Sequence, residues 1–279
     1  MRKRFSLTSL KPATIMGVLN VTPDSFSDGG KFNNTDRAMN TALRMENQGA
    51  GIIDIGGEST RPGAQAVSVE DELARVIPVI ESIRQKSDIP ISIDTSKPEV
   101  MSAAINAGAS MINDVNALRA KGAIQVAAEA QVPVCIMHMQ GNPRSMQTNP
   151  SYDDVTNDVI DFLLGRADEC VSAGINEREI ALDPGFGFGK TVQHNYALFA
   201  SLPRLLKLGY PVLVGVSRKS MIGAVTDKST EQRLAGSIAA ATIAAEMGAH
   251  IIRVHDVDET VDAVKVVGAI QQAKSQIEE

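Results

Sequence analysis

Ile91-Ser92-Ile93-Asp94-Thr95-Ser96 and Met111-Ile112-Asn113-Asp114 are short apolar runs that end in polar residues, with a helix-like stretch between them. The same unit recurs on both sides. Strand-like runs fall at 14–20, 52–55, 91–94, 111–114, 134–137, 180–183, 212–215 and 251–254. Their hydrophobicity is unbroken rather than alternating, as in strands covered on both faces. The segments between them carry helical spacing. The clearest sets Val69, Leu73, Val76, Ile77, Ile80 and Ile83 on one face, with Ser68 as N-cap and Pro78 expected to kink the helix. Another, 231–246, is rich in Ala, Gly and Ser, which lets a helix lie close against a sheet. Eight strand-then-helix units without a linker predict a single α/β domain over residues 1–279, a parallel (β/α)8 (TIM) barrel. An open doubly wound sheet is the structural alternative.

The composition narrows the function. A chain of 279 residues, 43% of them hydrophobic, suffices for one packed core. The net charge of −6, with a pI near 5.3 and no run of Lys or Arg, argues against a nucleic-acid footprint. Arg2-Lys3-Arg4 leads into a segment too polar for a secretory signal, and nothing approaches the roughly 18 apolar residues of a membrane helix. Cys135 and Cys170 sit in apolar runs and read as buried, unpaired thiols, which points to the cytoplasm.

What ends each run is more informative. Asn20, Asp94, Asn113-Asp114 and Asp183 close four of the strands. Gly215-Val216-Ser217-Arg218-Lys219 and Arg253-Val254-His255-Asp256 follow two more. In a barrel these ends meet at one face, where catalytic residues collect. A single strand-end carboxylate also serves as a helix cap, but that reading does not cover the whole set. Acceptors, amides and cations together suit a flat heterocycle with donor and acceptor edges beside an anion.

Three loops are rich in Gly, Ser and Asp: 21–30, 56–63 and 185–191. The third, Gly185-Phe186-Gly187-Phe188-Gly189-Lys190-Thr191, is no Walker A motif, because Pro184 stands where that motif needs Gly and supplies no N–H. Its glycines would let backbone pass close to a ligand while Phe188 offers a ring to stack on. The four histidines, His138, His194, His250 and His255, form no i, i+4 pair, which argues against zinc. His138 reads as a hydrogen-bonded strand-end residue, His194 as a helix start and His250 as a packing residue. Oxygen ligands beside a phosphate site are compatible with Mg2+ held mostly by substrate oxygens and water.

Asn20-Val21-Thr22-Pro23-Asp24-Ser25-Phe26-Ser27-Asp28-Gly29-Gly30 and Gly56-Gly57-Glu58-Ser59-Thr60-Arg61-Pro62-Gly63 resemble the two signatures of dihydropteroate synthases. The motifs at Asp94, Asn113, Asp183-Lys190, Ser217-Ser220 and Arg253-Asp256 complete the likeness in order. It implies a folate-biosynthesis transferase that joins 6-hydroxymethyl-7,8-dihydropterin diphosphate to p-aminobenzoate. The implied pterin contacts are Asp183, Asn113, Asp94 and Lys219, with Met137, Phe188 and Gly215 as walls. Arg253, His255 and Asn20 are implied at the diphosphate, with Asn20 also a ligand of Mg2+. Thr60 and Arg61 would close over the leaving group and, with Phe26, Pro62 and Ser220, shape the aminobenzoate pocket. Asp94, Asp183, Lys219 and Arg61 are the catalytic candidates. The resemblance further implies a homodimer in which sulfonamides compete with aminobenzoate.

No protein nucleophile is required, because a pterin delocalises the developing cation. Two rivals stay open at this point: a pterin-binding methyltransferase barrel working with a corrinoid protein, and a non-catalytic pterin-binding subunit. The first has no evident use for two loops that close on a diphosphate, and the second would lose Arg253, His255 or Arg61.

Overall fold

Strands form where the apolar runs predict them: β1 (Thr14–Asn20), β2 (Ile52–Gly56), β3 (Ile91–Asp94), β4 (Met111–Asp114), β5 (Val134–Met137), β6 (Ile180–Asp183), β7 (Leu213–Val214) and β8 (Ile251–Val254). This is seen in a computed structural model, which describes residues 5–22, 31–59, 63–141 and 146–278. The helices are α1 (Lys31–Asn47), α2 (Val69–Arg84), α3 (Pro98–Ala107), α4 (Ala123–Ala130), α5 (Val155–Ser172), α6 (Val192–Ala200), α7 (Leu202–Leu206), α8 (Ser220–Thr226), α9 (Leu234–Met247) and α10 (Val257–Glu278). All strand pairings are parallel, in the order β6-β5-β4-β3-β2-β1-β8-β7. The seam between β6 and β7 is closed by a parallel bridge from Leu182 to Val212, with the Leu182 N–H donating to the Pro211 carbonyl at 2.8 Å. The sheet is therefore a barrel, and the open doubly wound alternative is excluded. β7 is shorter than the expected 212–215, because Val212 contributes only this bridge.

The strand period of two sorts the side chains into an outer and an inner set. Ile53, Ile55, Ile91, Ile93, Ile112, Val134, Ile136, Ile180, Leu182, Val214 and Ile252 share the larger core with helix residues such as Val76, Ile80, Val100 and Leu163. Met16, Ile52, Met111, Cys135, Ala181, Leu213 and Ile251 form a second, smaller core inside the barrel. Leu7, from a 3-10 turn at Leu7–Ser9, plugs its lower end. That turn is tied down by Glu179, which accepts from the Leu7 N–H at 2.9 Å and from the Ser6 hydroxyl. Cys135 thus lies inside the barrel and Cys170 in the outer shell, and both are free thiols. Burial pushes the Cys135 thiol well above its usual range and that of Cys170 up to about 11.

The helices follow their local signals. Ser68 caps α2, its Oγ accepting from the Asp71 N–H at 3.0 Å, and Glu70, Asp71 and Glu72 favour the positive end of the helix dipole. Helical structure runs unbroken through Pro78. α9 begins at Leu234 rather than 231, because Thr230–Gln232 forms a separate 3-10 turn. Its small residues serve both neighbours: Ala241, Ala244 and Ala245 are buried in the core shared with the strands, and a Cβ on Gly236 would lie 2.5 Å from Ile222 Cγ2 of α8.

Candidate active site

Two residues beyond the inner apolar layer, the same inward-facing positions become polar. Ile52 is followed by Asp54, Met111 by Asn113, Ala181 by Asp183 and Ile251 by Arg253, while Asp94 ends β3. Cys135 is followed by Met137 and Leu213 by Gly215. Asp54, Asp94, Asn113 and Asp183 are all buried. The barrel thus brings the strand-end set together at its carboxyl mouth.

Arg253 organises one side. Its Nε donates to Asp54 Oδ2 at 2.6 Å and its Nη2 to Asp94 Oδ2 at 2.8 Å. Asn113 Nδ2 donates to the same Asp54 oxygen at 3.1 Å. Arg253 was expected at the diphosphate; in this structure two of its donors face carboxylates. On the other side Lys219 Nζ donates to the Phe186 carbonyl and stands 4.7 Å from the centre of the Phe188 ring. Asp183 Oδ1 accepts the Gly185 N–H at 2.7 Å. Met137, Met139, Met146, Val115 and Phe188 pack into an apolar wall.

Burial shifts these charges. It raises Asp94 to about 7, against the opposing pull of Arg253. It also raises Asp183, which Lys219 partly counteracts. It lowers Lys219 to about 8, although Asp183 favours the ammonium. Arg253 resists its own burial because Asp54 and Asp94 hold it charged. Perturbed groups gathered in one cleft are a mark of a functional site.

In the loop after β6, a Cβ on Gly185 would meet the His138 carbonyl oxygen at 1.8 Å and one on Gly189 the Gln140 carbonyl oxygen at 2.5 Å, both in the loop after β5, while one on Gly187 would lie 3.2 Å from Lys219 Cδ. Lys190, buried, holds the loop from inside. Its Nζ donates to the carbonyls of Gly185 (2.8 Å) and Phe188 (3.1 Å) and lies 3.0 Å from His138 Nδ1. Burial lowers the Lys190 ammonium to about 7 and the His138 imidazole to about 3, so His138 is neutral here. His194 completes a capping box with Thr191, and His250 Nδ1 accepts the Val212 N–H, the structural roles their positions suggested.

Beyond β7 and β8, Ser217 Oγ lies 3.1 Å from His255 Nδ1, and Arg218 pairs with Asp256. Ser220 is exposed at the start of α8. At the foot of the loop after β2, Lys97 bridges Glu58 and the buried Glu72. Asn20 Oδ1 and Asp94 Oδ2 lie 3.8 and 3.6 Å from where a Cβ on Gly56 would be, so a side chain there would crowd both oxygens. Phe26, Thr60, Arg61 and Pro62 lie outside the described residues.

Among the described residues no group of three His, Cys, Asp or Glu side chains could hold a metal ion. A single neutral oxygen such as Asn20 Oδ1 fits Mg2+, which keeps waters and takes phosphate oxygens rather than an all-protein cage.

A barrel with a buried donor–acceptor layer under a cationic rim matches one class of protein. A sequence model of the family described as "Pterin binding enzyme" covers residues 16–255. The dihydropteroate synthase of Escherichia coli strain K12 is 55% identical over 260 residues, 93% of this chain and 92% of that protein. A Xanthomonas albilineans dihydropteroate synthase solved with 4-aminobenzoic acid superposes with a TM-score of 0.89 at 53% identity, covering 94% of each chain. Another structure of that enzyme, in complex with 7,8-dihydropteroate, gives a TM-score of 0.85 at 49% identity over 94% of this chain and 95% of that one. The chain belongs to the dihydropteroate synthase family.

Proposed function

We propose that the mouth of the barrel divides the family's reaction between two adjoining subsites. The chain is a transferase of folate biosynthesis: it condenses 6-hydroxymethyl-7,8-dihydropterin diphosphate with p-aminobenzoate, giving 7,8-dihydropteroate and diphosphate. The observation that carries the division is the inner polar layer, in which Asp94, Asn113 and Asp183 sit buried within reach of Arg253 and Lys219.

In this reading the pterin lies on that layer. Asp183 accepts two N–H groups of the aminopyrimidinone edge, Asn113 and Asp94 meet further edge atoms, and Lys219 meets a ring oxygen or nitrogen. Met137, Phe188 and Gly215 wall the ring. The methylene C–O bond breaks with its electron pair leaving on diphosphate, and the amine lone pair then forms the C–N bond before nitrogen sheds its proton. Asp94 and Asp183 stabilise the pterin cation from below, while Arg253 and His255 take the charge growing on diphosphate. Mg2+, on Asn20 and diphosphate oxygens, would supply Lewis-acid neutralisation of that leaving group. Thr60, Arg61, Phe26, Pro62 and Ser220 are proposed for the leaving-group lid and the aminobenzoate pocket.

Two further readings belong to the proposal. Partly exposed Ile243 on α9 and Val266 and Ile270 on α10 support a homodimer. Two buried free thiols fit the reducing cytoplasm, and no helix among the described residues is long and apolar enough to cross a membrane.

The reaction is tested by following pyrophosphate release from the pterin diphosphate with and without p-aminobenzoate. Release that depends on aminobenzoate, matched by dihydropteroate formed, is expected. Equal release in its absence would show a hydrolase and overturn the reading.

A further inference from the structure

Asp54 lies inside the barrel wall on β2, fully buried, and no motif of the strand ends includes it. Its Oδ2 accepts from Arg253 on β8 and from Asn113 on β4, so one oxygen ties together strands on either side of β2 across the barrel interior. Its Oδ1 has no hydrogen-bond partner among the described residues. An uncompensated buried carboxylate is costly, so this one depends on the guanidinium beside it. Arg253 in turn has unequal arms. Nε points down to Asp54, whereas Nη2 meets Asp94, the carboxylate placed here on the pterin ring.

We propose that Asp54 is a positioning residue for the diphosphate subsite: it tethers Arg253 at Nε, leaving the outer end of the guanidinium to pass from Asp94 to the substrate's diphosphate. The inference rests on the functional reading above. When the pterin ring takes Asp94, the Nη2 donor is released. The Nε bond keeps the fork at the mouth, where the leaving group arrives. Assembly of the anion site is thereby coupled to occupation of the ring site.

The wiring supplies its own control. Because Oδ2 alone takes both bonds, Asp54→Asn can present its amide oxygen to the same two donors, whereas Asp54→Ala cannot. Calorimetric titration with 6-hydroxymethylpterin and with its diphosphate, Mg2+ present, gives the affinity gained from the diphosphate. In Asp54→Ala that gain is expected to fall roughly 10- to 100-fold, the loss of one charge-assisted hydrogen bond, while Asp54→Asn keeps most of it. Equal weakening of both ligands in Asp54→Ala, with the gain intact, overturns the tether. A wild-type chain that binds neither pterin overturns the functional reading and the tether together.

Should Asp54→Ala not fold, the wild-type chain decides by nuclear magnetic resonance of 15N-labelled arginine. A slowly exchanging Arg253 Nε–H, in both the free and the pterin-plus-pyrophosphate states, supports the tether. An Nε–H that exchanges freely in the bound state excludes it.

Discussion

Asp94 serves two partners from one pocket. It pairs with Arg253 now and is assigned a pterin N–H when substrate binds, a donor that the carboxylate accepts more strongly than the protonated acid does. Burial places its titration near 7, where Arg253 opposes the shift and Asp54, Asp114 and Glu72 add to it. Pterin affinity should therefore be highest above about pH 8 and fall by up to about tenfold per unit below about 7, as a proton must first be expelled. The same shift acts on folding with a defined sign. The folded pKa lies above the unfolded value of 3.8, so the folded state holds the extra proton, and this group's contribution to stability declines as pH rises from about 4 to about 7. Calorimetry of pterin binding across this range checks the first point, and a pH-independent affinity would contradict it. The inward carboxylates at strand ends were legible in the sequence. Asp54 was not, because it interrupts an otherwise apolar run that reads simply as strand; a charge inside Ile52-Ile53-Asp54-Ile55 was the signal.

Among the elements, the loop after β6 shows what residue types alone leave open. Its glycines announced a close approach; for Gly185 and Gly189 the neighbour is the loop after β5, and for Gly187 it is the Lys219 side chain. Sequence states which residues permit contact, while the barrel's closure decides which backbone arrives. Gly185 has φ +69° and its Cβ would sit 1.8 Å from a carbonyl oxygen, so Gly185→Ala demands both strain and displacement of backbone. Gly209 has φ +87° with nothing within 4 Å, so Gly209→Ala demands strain alone. Chemical denaturation should show a loss of at least about 3 kcal/mol for the first and roughly 1 kcal/mol for the second. Equal losses would contradict the contact. Helix ends were less legible than strands: α9 starts where a 3-10 turn ends, a distinction that periodicity does not carry.

At the scale of the whole molecule, eight strands and their sequential parallel order followed from the repeated unit, and closure from the bridge between Leu182 and Val212. What periodicity could not supply was the outer surface. α9 is apolar nearly all round, and Ile243 with Val266 and Ile270 of α10 remains partly exposed. Sedimentation should accordingly give twice the 29.7 kDa chain mass, and Ile243→Glu should shift the chain toward monomer without unfolding it. A monomer in the unaltered chain would remove the dimer from the account. The central claim is that the inner polar layer binds the pterin ring, and Asp183 is its most direct probe. Asp183→Asn can keep its bond from the Gly185 N–H yet turns a donor toward one ring N–H. Titrating pterin into the folded variant should show binding weakened by roughly 2–4 kcal/mol relative to the unaltered chain. Near-normal affinity in a variant with unchanged thermal stability would contradict the placement of the pterin on this layer.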